Sequence, residues 1–122
     1  MENQDLDRFE RVFGFPPTEE ITRVDTLIIR RVLTTKIGDV VATRKDFVNA
    51  QEGIDRMPVD ELLKRRKLLI ELHGAFSAKR HELEATVGLA KEAGYSIPED
   101  LAMNLADALV EPAHSTTAEV AQ

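Results

Sequence analysis

Few side chains in this sequence could do chemistry, and their spacing narrows what that chemistry would be. The three histidines, His73, His81 and His114, stand too far apart for the short spacings of helical zinc sites. Cysteine is absent, which excludes disulfides, thiolate metal sites and thiol nucleophiles. Neither a glycine-rich phosphate loop nor a nucleophile elbow occurs. The expectation is therefore no catalytic residue, no metal and no cofactor, with His73 a packed, hydrogen-bonded side chain.

One constellation stands apart from this: Arg66 and His73, separated by six residues. It resembles the Arg-x4-6-His motif of the HEPN helical ribonucleases. That resemblance implies that Arg66 and His73 act on an RNA phosphate and 2′-hydroxyl, commonly across a dimer. Lys67 follows Arg66, where that family tends to carry Asn, Asp or His. The resemblance is confined to residues 66–73.

Both residues belong to the stretch that must position everything else, PVDELLKRRKLLIELHGAFSAKRHELEATVGLAKEA, residues 58–93. Pro58 suits a first helical turn, Asp60 and Glu61 complement the positive end of the dipole, and Gly94 supplies the stop. Every seventh residue from Leu62 is apolar: Leu62, Leu69, Phe76, Leu83 and Ala90. That row predicts a seam. The companion row, Val59, Arg66, His73, Arg80 and Val87, is basic in the middle, so an acid should face it. A tight turn at Gly53–Met57 would bring Asp46 to Arg66 and Asp39 to His73 as register-setting pairs. A stripe of mostly small residues, Gly74, Ala78, His81, Ala85 and Gly88, predicts close approach by another backbone.

The first arm, residues 18–52, starts at a Thr18 cap and reads as two helices, 18–35 and 38–52, or as one continuous helix. Ahead of it, residues 5–13 form a short amphipathic helix. Phe9, Phe13 and Phe15 either cover the end of the arms or insert into a partner's groove. A last helix over 97–111, capped by Ser96 and Glu99, carries Leu101, Leu105 and Leu109 toward the small-residue stripe. Residues 112–122 lack a core-forming pattern and are expected to be a disordered tail.

Charge follows the same division. Residues 1–20 sum to −4, residues 21–93 to +3 and residues 94–122 to −5, for a net charge of −6. Acidic ends oppose a polyanion-binding role, and Lys64 to Lys67 read as a solvated face with Asp60–Lys64 and Glu61–Arg65 pairs. No membrane span or secretory leader is expected, so the default is a cytoplasmic protein.

The sequence thus predicts an all-α single domain over residues 1–111. Its centre is an antiparallel, coiled-coil-like helical hairpin with short N- and C-terminal helices packed on it. The expected role is a non-enzymatic protein–protein interaction module, an adaptor, assembly factor or small regulator that is oligomeric. Phe9, Phe13, Phe15, Gly74, Ala78 and Ala85 are the expected partner contacts. The alternative is a helix-turn-helix-like nucleic-acid regulator turning at Thr34–Gly38, with Arg30, Arg31, Lys36, Arg44 and Lys45 on phosphate.

Overall fold

The computed structural model describes residues 3–112. Its regular elements are α1 (Asn3–Phe13), α2 (Arg23–Asn49), a 3-10 turn (Ile54–Arg56), α3 (Val59–Glu92) and α4 (Glu99–Ala108). No strand occurs among the described residues. The expected tail falls outside them from Ala113 onward, and His114 with it.

The helix α2 begins four residues later than the sequence suggests. Thr22, not Thr18, is the cap: its Oγ1 accepts from the Asp25 amide at 3.1 Å, while the Asp25 carboxylate accepts from the Thr22 amide at 3.0 Å. Two orphan amides are satisfied at once. The helix then runs unbroken through Thr34, Thr35 and Gly38. Ile29, Leu33, Ile37 and Val40 are buried at helical spacing, and that burial outweighs the weak helix preference of the threonines between them. The Thr34 hydroxyl donates back to the Arg30 carbonyl at 2.8 Å, so it adds no unpaired group.

Helix α3 is the longest element, with 34 residues. Its end is closed by paired backbone bonds, Gly94 N–H to Lys91 O at 3.0 Å and Tyr95 N–H to Ala90 O at 3.0 Å. Gly94 sits at φ 96°, the left-handed conformation this closure requires, and the buried Tyr95 ring covers the last turn.

The long pair α2 and α3 packs together, and α1 lies against both. Phe76, Leu83 and Ala90 from the predicted seam are fully buried with Ile29, Leu33 and Val40 of α2. Phe9 and Phe13 close this core, their rings 4.6 Å apart, and Phe15 packs edge-on against Phe9 at 5.3 Å. The α1 phenylalanines therefore cover the chain's own core. Phe9 and Phe13 are not exposed for insertion into a partner.

The alignment of the pair differs from the predicted one. Lys36 meets Glu82 at 2.9 Å, the Phe47 ring meets His73 at 5.3 Å, and Arg65 donates to the Ala50 carbonyl at 2.9 Å. His73 thus sits opposite Phe47 instead of Asp39, a displacement of roughly two helical turns. Asp39, Asp46 and Arg66 are exposed and form no ion pair among the described residues. The cause is the connection. A tight turn at Gly53–Met57 is replaced by a longer segment, residues 50–58, containing the 3-10 turn. The first turns of α3, residues 59–68, consequently run on past the end of α2.

Helix α4 lies on α2, not on the small-residue stripe of α3. Leu101 and Ala108 are buried there. Pro98 occupies its cap position with no side-chain cap bond, so the Ser96–Glu99 box does not form. Arginines of α2 hold both ends instead. Arg30 pairs with Asp100, and Arg44 donates to the carbonyls of Asp107, Ala108 and Val110. A cation on the last carbonyls is the favourable arrangement for a helix C-terminus.

Candidate functional site

The first third of α3 carries an apolar face that is left uncovered. Val59, Leu63 and Ile70 are 72%, 65% and 57% exposed, whereas Phe76 and Leu83, farther along the same helix, are at 0%. Between this face and the connecting segment lies an open groove of about 660 Å³. Phe47 and Ile54 form one wall, and Leu62, Leu69 and Ile70 the other. Among the described residues its ionisable lining is basic or imidazole: Arg65, Arg66 and His73.

At the inner end, the His73 ring is wedged between Phe47 at 5.3 Å and Phe76 at 6.0 Å. The acid demanded by the basic row is present, but it is Glu111, from beyond α4. Its Oε2 lies 3.3 Å from His73 Nε2, and its Oε1 accepts from Arg80 Nη1 at 2.8 Å. One carboxylate thereby bridges two members of the row. Sequence spacing gives no access to this contact, because Glu111 arrives by way of the intervening α4. Any partner of His73 at this end meets a carboxylate already in place, an unfavourable setting for an RNA phosphate.

The charged run at the start of α3 is less self-paired than expected. Asp60, Glu61, Lys64, Arg66 and Lys67 form no ion pair among the described residues, and Arg65 reaches back to Ala50 instead of Glu61. Gly74, Ala78 and Ala85 are exposed, and a Cβ built on Gly74 or Gly88 would meet nothing within 4 Å. Their smallness is not explained by close packing among the described residues.

The residues of the helix-turn-helix expectation are dispersed. Thr34–Gly38 is continuous helix, Arg30 and Arg44 hold α4, and Lys36 is bonded to Glu82. The hydrogen bond from Lys36 lowers the pKa of Glu82, and that from Arg30 lowers that of Asp100 while Asp100 raises that of Arg30. Burial raises the pKa of the Tyr95 phenol, against the opposing pull of the nearby Arg30 guanidinium. These shifted groups secure the helices to one another and lie outside the groove.

No group of three or more His, Asp or Glu among the described residues could hold a metal, and no helix there is long and apolar enough to cross a membrane. Compared with known proteins, the chain matches no family, no curated protein and no solved structure.

Proposed function

We propose that this chain is a non-enzymatic helical interaction module, an adaptor, assembly factor or small regulator, built as an antiparallel helical hairpin that docks another protein. Phe9, Phe13 and Phe15 leave the list of expected contacts, since they serve the internal core. Their place is taken by the overhanging start of α3, with Gly74, Ala78 and Ala85 as a second, low-relief strip farther along the helix.

The single observation that carries this reading is the bare apolar face at Val59, Leu63 and Ile70, beside a groove open enough to accept side chains. A contiguous exposed apolar surface costs solubility and marks an interaction site more often than chance. An amphipathic helix laid into such a groove is a standard recognition mode.

The test is paired substitution. Leu63→Asp and Ile70→Asp should abolish capture of a binding partner, or self-association measured by light scattering, while the circular dichroism melt stays within a few degrees of the parent. A parent chain that is monomeric at micromolar concentration and captures nothing, or capture untouched by both variants, would overturn the reading.

A further inference from the structure

We infer that the occupant of the groove is an acidic amphipathic helix of another protein, with apolar residues at helical spacing and carboxylates directed at Arg65 and Arg66. This deepens the docking reading and rests on it. The apolar lining supplies the driving force for an occupant, and the charged lining supplies its sign. Arg65 and Arg66 stand in the wall of the groove, and among the described residues no carboxylate does.

Their bonding within the chain supports the same sign. Among the described residues Arg66, which is exposed, has no ion pair, and Arg65 has none either, its hydrogen bond going to the neutral Ala50 carbonyl. Both guanidiniums keep donors able to take a carboxylate in the two-pronged geometry that arginine favours. His73, by contrast, already has Glu111 at 3.3 Å. Asp60, Lys64, Lys67 and Glu71 occupy the neighbouring solvated face with mixed sign, so they add little preference of their own.

The overall net charge of −6 does not oppose an acidic occupant. Screening limits charge interactions to about 8–10 Å at physiological ionic strength, so the local groups decide. A second copy fits less well. Packing two of these faces about a twofold axis near Leu63 and Arg66 brings the two Arg66 side chains close together with no carboxylate from the described residues in either groove.

The experiment is selection of displayed peptides against the full chain. The probe is a library of amphipathic helices with a fixed leucine face and randomised polar positions. Enriched sequences should carry Asp and Glu at one edge of the apolar face, and Arg66→Glu should weaken them by about tenfold or more while Arg66→Lys weakens them less. Arg66 is exposed, so neither variant threatens folding. Enrichment of neutral or basic sequences that Ile70→Asp still abolishes overturns the acidic occupant and leaves the docking reading standing. Enrichment that Ile70→Asp and Leu63→Asp leave unchanged overturns both. A dimer dissociated by Ile70→Asp assigns the groove to a second copy and overturns the inference.

Discussion

Two leucines on α3 should respond very differently to the same truncation. Leu83 is fully buried, whereas Leu63 is 65% exposed on the overhang. Leu→Ala removes three carbons, worth about 2.4 kcal/mol of transfer free energy when fully covered. At Leu83, which is fully buried in the core, the cavity left behind adds to this, for a total of about 3–5 kcal/mol. At Leu63 only about a third of the side chain is covered, so the loss is under about 0.8 kcal/mol, and the better helix propensity of alanine offsets part of it. For a chain of this size, each kcal/mol moves the thermal midpoint by about 4 °C. Leu83→Ala should therefore melt at least about 12 °C below the parent, with Leu63→Ala within about 5 °C, both followed by circular dichroism at 222 nm. Similar losses at the two sites would refute the division of α3 into a packed half and a bare half.

Other outcomes follow from the same contacts. Arg44→Ala removes the cation from the end of α4 and should cost about 1–2 kcal/mol in urea denaturation, while Arg31→Ala, on the same helix, should cost under about 0.5 kcal/mol. Asp100 and Glu82 have folded pKa values below their ordinary 3.8 and 4.5, so each contributes stability present above those values and lost as pH falls through the lowered ones. Acid unfolding of Asp100→Asn and Glu82→Gln variants should accordingly converge with that of the parent at low pH, and a gap that persists or widens there would contradict the assignment. Purified protein should leave single-stranded RNA intact. Cleavage that disappears in the Arg66→Ala, His73→Ala double variant would establish the ribonuclease chemistry that the motif implies.

Much of the fold is legible in the sequence because burial follows period. The row Phe76, Leu83 and Ala90 needs only counting by sevens, and the stop at Gly94 needs only the left-handed backbone that glycine tolerates. The alignment of α2 on α3 is not legible in this way. It depends on how residues 50–58 fold, and nothing in Gly53–Met57 distinguishes a tight turn from a longer excursion with its own 3-10 turn. Asp39 and Asp46 looked like partners because they repeat at the right interval, yet an exposed aspartate at that interval costs nothing when it faces water. Thr34, Thr35 and Gly38 carry the local marks of a break, and the four buried residues Ile29, Leu33, Ile37 and Val40 override them. Glu111 was out of reach altogether, because its place beside His73 and Arg80 depends on how α4 lies.

The overhang has a consequence for the backbone itself. With α2 ending at Asn49, the opening turns of α3 have few lateral neighbours, so their helicity rests on local propensity and on Asp60 and Glu61 at the dipole end. Amide hydrogens there should exchange with solvent sooner than those flanking Leu83. A ligand that holds these turns must first stop their fraying, and its affinity will be lower by that ordering cost than the contact surface alone would suggest.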